Sequence, residues 1–323
     1  MKIPFRFYLY ILTSMIIWGS SFVFTKICLQ SLDPVALIWL RLFISLFILI
    51  PVVLLFYRDA LTRIFQLKDL KYLGLLAVFE PFLYFLGENF SLVYLSASLV
   101  SVIVATIPIF TTVFAVFLFR EKLGVINALG IALSICGTIF ILLWDGSVLG
   151  SVNMRGVLLA FLAVFSATCY IIILKKLLRN YNPVALLAWQ NVIGCLLFTP
   201  IFLGFSDLNA IGNSLFAVSG EEGVRLWTAL LILSFFCSAI AFLFFANAIK
   251  IGGIAKSNVF SNIVPIVTFI LAAIAGQEYF SPVKFLAIFI VVGGLILAQR
   301  NQVKELQFPQ QWRNNRPGFR RGV

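Results

Sequence analysis

Asp33-Pro34-Val35-Ala36-Leu37 returns as Asn182-Pro183-Val184-Ala185-Leu186, an offset of 149 from residue 33 to residue 182. The same offset carries Lys26 to Lys175. Later in each half the offset becomes 157: Pro108 meets Pro265, Glu121 meets Glu278 and Gly137 meets Gly294. The shift of 8 has a simple source, because residues 205–224 make a connection of 20 where residues 58–69 make one of 12. The chain reads as a duplication, 1–149 and 150–299, followed by a basic tail, 300–323.

The duplicated unit spans a membrane. The 323 residues are 62% hydrophobic and 11% charged, against about 25% charged in soluble domains, and the mean hydropathy is +1.08. Apolar runs of about 20 residues, the length that crosses a hydrocarbon core of roughly 30 Å, recur from Phe7 to Ala298. They place ten spans, at 7–28, 34–57, 70–93, 96–119, 123–144, 153–175, 183–204, 225–249, 254–275 and 282–299. Five spans per half is an odd number, so the second half enters the bilayer upside down. The expected fold is an all-α polytopic membrane protein with ten transmembrane helices in two inverted five-helix repeats. Repeats of this kind build transporters, with a midplane site where the halves meet.

The net charge of +12 is concentrated in connections and in the tail, a pattern of topology signals rather than of a nucleic-acid surface. With the N-terminus inside, the inner segments collect Lys2, Arg6, Arg58, Arg63, Lys68, Lys71, Arg120, Lys122, Lys175, Lys176, Arg179 and Lys250. Only Lys26, Arg155, Arg225 and Lys284 fall on the outer side. Both termini are thus expected in the cytoplasm of a bacterium, with the protein in its inner membrane. Lys2 and Arg6 before an apolar run resemble a signal peptide, but the run is too long and lacks a small-residue cleavage site, so it reads as a retained first helix. Between Arg58 and Asp69 the basic and apolar residues are spaced for a short interfacial helix. Arg313, Arg316, Arg320 and Arg321 make the tail a solvated end or a weak lipid-headgroup contact.

Trp18-Gly19-Ser20-Ser21-Phe22 through Lys26 opens the first span, and Leu40-Arg41-Leu42 lies in the second. Ser96-Ala97-Ser98 leads to Pro108, and Arg120-Glu121-Lys122-Leu123 ends the fourth span. In order and spacing these resemble the ten-helix EamA-type members of the drug/metabolite transporter superfamily, across residues 7–299. The resemblance implies an inverted-repeat carrier of amino acids, other small metabolites or drugs, with export or exchange as its activity, and it names no substrate. The second half departs from the pattern, since Arg41 aligns with Gln190 and Trp18 with Ala167.

Glu80-Pro81-Phe82-Leu83-Tyr84-Phe85-Leu86-Gly87-Glu88-Asn89 puts two carboxyls and a proline inside the third span. Ionisable groups inside a membrane cost roughly 2.5–3.5 kcal/mol each on insertion scales and point to function. At 1.5 Å rise per residue, Arg41 lies roughly 10 Å below the outer boundary and Glu88 about 7–8 Å, so a buried Arg41–Glu88 ion pair is expected. Glu80 falls near midplane with no basic residue at its depth. It can serve as a proton-coupling group, anchor a substrate amine, or sit as a neutral acid bonded to the backbone at the break Pro81 makes. Tyr84 follows one turn on, on the same face.

Trp18 and Ser21 in the first span and Tyr170 in the sixth complete the candidate substrate site, with Asn258 and Asn262 in the ninth. Pro108 and Pro265, related by the repeat, are candidate hinges. Glu121 and Glu278 read as caps of the fifth and tenth spans. Gly130, Ser134 and Gly137, with Gly293 and Gly294, suggest close helix packing, either internal or at a homodimer seam.

No histidine is present, which removes a Ser-His-Asp triad and leaves proton transfer to carboxyls. Cys28, Cys136, Cys169, Cys195 and Cys237 form no CxxC pair and read as buried packing thiols. No catalytic residue, metal site or cofactor is expected. The expected partners are a small-molecule substrate and the lipid bilayer. Two other classes remain open: a membrane enzyme acting on lipid-linked substrates through Glu80 and Glu88, and a non-transporting scaffold or sensor.

Overall fold

The computed structural model describes residues 4–58, 60, 69–111, 114, 124–149, 153–217 and 220–299. The repeated pentapeptide proves to be a helix start in both halves. Asp33 Oδ1 accepts from the backbone N–H of Val35 at 3.0 Å and of Ala36 at 2.9 Å, and Asn182 Oδ1 accepts from that of Val184 at 2.9 Å. Each satisfies backbone donors that a helix leaves without partners, and the proline that follows occupies the position where a missing N–H costs nothing.

The spans are α1 (Phe5–Cys28), α2 (Pro34–Phe56), α3 (Leu70–Tyr94), α4 (Ala97–Thr111), α5 (Val125–Leu149) and α6 (Met154–Leu177). They continue as α7 (Pro183–Phe205), α8 (Glu221–Gly252), α9 (254–274) and α10 (Pro282–Gln299). Among the described residues, nine are long and apolar enough to cross a membrane, and Ala97–Thr111 is a shorter apolar helix. No strand occurs among the described residues. The eighth span begins at Glu221, four residues before the position read from hydropathy. Glu121, the tail, and nearly all of the segment expected as an interfacial helix lie outside the described residues.

The two halves interlock. From the first half, α1 packs on α8 and α9; from the second, α6 packs on α3 and α4. α2 pairs with α7, and α5 with α10. In lipid no hydrophobic force separates these contacts from helix–lipid ones, so close packing and hydrogen bonds must hold them. Ser14 Oγ donates to the Ala241 carbonyl at 3.0 Å, and Thr268 Oγ1 to that of Gly19 at 2.8 Å. Ser45 Oγ reaches Asn191 Oδ1 at 3.0 Å, and Trp39 stacks on Phe202 with ring centroids 4.4 Å apart. A Cβ on Gly130 would stand 2.2 Å from the Ala298 nitrogen. Gly130, Gly137 and Gly294 therefore lie in the α5–α10 contact, while a Cβ on Gly293 would meet nothing within 4 Å.

At the end of the bundle away from both termini, Glu278 caps a helix other than the one expected. Its Oε1 accepts from the backbone N–H of Ser98 at 2.9 Å, in the first turn of α4. Its Oε2 accepts from Ser98 Oγ and from Lys284 Nζ, the latter at 2.7 Å. The carboxylate thus holds the start of α4 against the α9–α10 connection instead of capping α10.

Among the described residues four spans depart from regular α-helix where they approach the centre, α8 by widening over Ile232–Ile240. Glu80 has extended backbone (φ −143°, ψ 118°) within a widened turn at Val78–Leu83 of α3. The Phe79 carbonyl beside this break accepts from Ser166 Oγ at 2.6 Å. The Pro81 ring needs a glycine opposite, since a Cβ on Gly194 would lie 2.2 Å from its Cγ. α4 is interrupted at Ala105–Thr106, and α9 tightens at Phe260–Asn262, each just before its proline, Pro108 or Pro265.

Candidate functional site: a cavity between the repeats

These breaks surround a cavity of about 90 Å³. By the same kind of measure one water needs roughly 10–15 Å³, so the space takes roughly six to nine water-sized groups. Its lining follows the duplication. At offset 149, Trp18, Ser21 and Phe22 of α1 are matched by Ala167, Tyr170 and Ile171 of α6, and all six line it. At offset 157, Phe85 and Glu88 of α3 are matched by Phe242 and Phe245 of α8. Val104 and Ile107 of α4 are likewise matched by Ser261 and Val264 of α9.

The charged groups in this lining are Arg41, Glu80 and Glu88, all from the first half and each at most 3% exposed. The direct Arg41–Glu88 ion pair expected from their depths is not formed. Arg41 Nε donates to Ser238 Oγ of α8 at 3.0 Å, and the guanidinium carbon lies 4.1 Å from the centroid of the Phe85 ring. Arg41 is thereby held by a hydroxyl and a ring face, which supports a cation through the ring quadrupole. Glu88 Oε1 accepts a long bond from Tyr84 Oη at 3.5 Å. Arg41 Nη1 and Glu80 Oε1 are buried without a hydrogen-bond partner.

Six of the seven residues expected to contact substrate line the cavity: Trp18, Ser21, Glu80, Tyr84, Tyr170 and Asn258. Most are tied down by neighbours. Trp18 Nε1 donates to the Cys237 carbonyl at 3.3 Å, and Tyr170 Oη to Gln190 Oε1 at 3.4 Å. Asn258 Nδ2 reaches Thr111 Oγ1 at 3.4 Å. Asn262 departs from expectation. It falls in the tight turn of α9, outside the lining, with its amide buried and without a partner.

Reading the sequence for polar residues missed Phe22, Phe85, Phe242, Phe245 and the Arg41 partner Ser238. The repeat offset held the missing signal, because adding 157 to Phe85 and Glu88 points to Phe242 and Phe245. All five cysteines are free, but Cys136 is exposed and Cys169 half-buried, so they are not uniformly packing thiols.

The EamA-like transporter family matches residues 5–143 and again 154–299. "Uncharacterized transporter YcxC" of Bacillus subtilis (strain 168) is 34% identical over 193 residues, 60% of this chain and 61% of that protein, so the match spans less than two thirds of that relative. "Probable amino-acid metabolite efflux pump" of Escherichia coli (strain K12) is 25% identical over 286 residues, 87% of this chain and 91% of that protein. One solved crystal structure superposes with a TM-score of 0.66 over 93% of this chain and 98% of that one. At 19% identity this is a likeness of fold.

Proposed function

The chain belongs to the EamA-like transporter family, and from that premise we propose that it is a secondary transporter moving small organic metabolites outward by alternating access. The observation that carries the reading is the paired lining of the cavity. Residues at offsets 149 and 157 wall it from both halves, as a site must be if either half can rock away from it. The moving bodies are 1–149 and 150–299, and Pro108 and Pro265 lie beside the helix interruptions that would let them bend.

The Glu278–Lys284–Ser98 cluster holds one end of the bundle together. By the lysine and arginine distribution that end faces outward, which puts both termini in the cytoplasm of a bacterial inner-membrane protein. Glu80 is the coupling group in this account, exchanging a proton as the solute enters and leaves. The name of the E. coli relative supports export and amino-acid-like cargo.

The test is flux in reconstituted vesicles, with amino acids, nucleosides, sugars, polyamines and cationic drugs as solutes. At least one should move faster than through protein-free vesicles, and Glu80→Gln should remove the dependence of its movement on a pH gradient. Folded protein that moves none of them contradicts the transporter reading.

A further inference from the structure

The two partnerless atoms in the cavity are complementary, one a hydrogen-bond donor and the other an acceptor. Arg41 Nη1 is a donor on a permanent cation and Glu80 Oε1 an acceptor on a carboxyl; both residues are 2% exposed and both line the same space. Isolated buried charges are expensive, and proteins ordinarily pair them with each other or with backbone. Here they are kept apart by local structure. Ser238 and the Phe85 ring hold the guanidinium, while the extended backbone at Glu80 sets its carboxyl at the break in α3. No direct ion pair joins the two.

A solute with one charge would complete one of these groups and leave the other unmet. A zwitterion completes both and adds no net charge to a site of low dielectric. The remaining walls are aromatic, with Phe22, Phe85, Phe242 and Phe245 among them, and suit a short apolar body. Resting on the transporter reading, we propose that the cavity is a clamp for a small zwitterion: its carboxylate on Arg41, its ammonium on Glu80, its apolar body against the phenylalanines. The guanidinium fork suits a planar carboxylate. The cavity, about 90 Å³, suits a small occupant.

The test is binding to the full chain in lipid nanodiscs, read by calorimetry and thermal unfolding. Glycine, alanine, valine, phenylalanine and γ-aminobutyrate sample body size and charge spacing. Valine is then compared with isobutylamine and isovalerate, which keep the branched body and one charge each. Each single-charge analogue should bind roughly tenfold more weakly or worse, the worth of one hydrogen bond to a charged group. Arg41→Gln should bring valine down to the level of isobutylamine, Glu80→Gln should bring it down to isovalerate, and Arg41→Lys should keep part of the preference.

Single-charge analogues binding wild type as tightly as valine overturn the clamp, as does failure of every zwitterion to bind. The wild-type series stands even where a variant does not fold. Flux of a neutral or singly charged solute, with no zwitterion bound, would sink the clamp and leave the transporter reading intact. Tight zwitterion binding with no flux of any solute would do the reverse.

Discussion

The two walls of the cavity share a shape and differ in chemistry. Phe85 and Phe242 are repeat-related and both buried, and Ser21 and Tyr170 enter from matched turns of α1 and α6. The charges have no such counterparts. Arg41 is matched by Gln190, Glu80 by Cys237 and Glu88 by Phe245. The repeat therefore sets a two-sided chamber, while one half supplies the electrostatic grip. On the proposed reading, a solute held this way would stay with the first half whichever side the chamber opens to.

The comparison breaks most visibly through its packing. Phe85→Ala and Phe242→Ala should each lose about 3–5 kcal/mol of stability, the usual range for an emptied aromatic site. Thermal unfolding should show similar losses for the two, because shape is what the halves share. Glu278→Ala should also lose about 3–5 kcal/mol, since it leaves Lys284 charged and buried without its carboxylate partner. A loss near zero would mean that the far end is not held by this pair.

The charge asymmetry is sharper and smaller in energy. Glu80→Gln should cut the transport rate roughly tenfold, about 1.4 kcal/mol, whereas Cys237→Ser at the equivalent position should stay within about twofold. Equal losses in vesicle flux would remove the one-sided grip. Smallest of all, Trp18→Phe removes one hydrogen bond to the Cys237 carbonyl and should destabilise by about 0.5–1.5 kcal/mol.

How much of this could be read from the sequence depends on the kind of residue. The duplicated Asp33/Asn182 segments, the ten spans and the odd number per half were legible because caps, prolines and hydropathy act locally. Most of the polar lining was legible too, since a polar side chain in an apolar run has few places to go. The aromatic walls were not. The chain has 35 phenylalanines, and in a bilayer a phenylalanine can face lipid as readily as a cavity, so hydrophobicity carries no direction. Phe47 is 66% exposed, for example, while Phe85 is 2%.

Partner choice was likewise hidden. Depth alone placed Arg41 beside Glu88, but Ser238 and the Phe85 ring hold it, from elements that depth arithmetic along single helices could not relate. Glu278 was correctly read as a helix-capping carboxylate. It was assigned to α10 because the sequence shows the helix that follows and not the one packed alongside.

The most direct test of a shared two-sided chamber is the accessibility of repeat-related wall positions. Ser21→Cys and Ala167→Cys, in a background without Cys136 and Cys169, would be treated with a membrane-impermeant thiol reagent from each face of oriented vesicles. The account predicts that each cysteine is labelled from both faces and that transported solute slows the labelling of both. Labelling of both from one face only, or of neither, would contradict alternating access through this cavity.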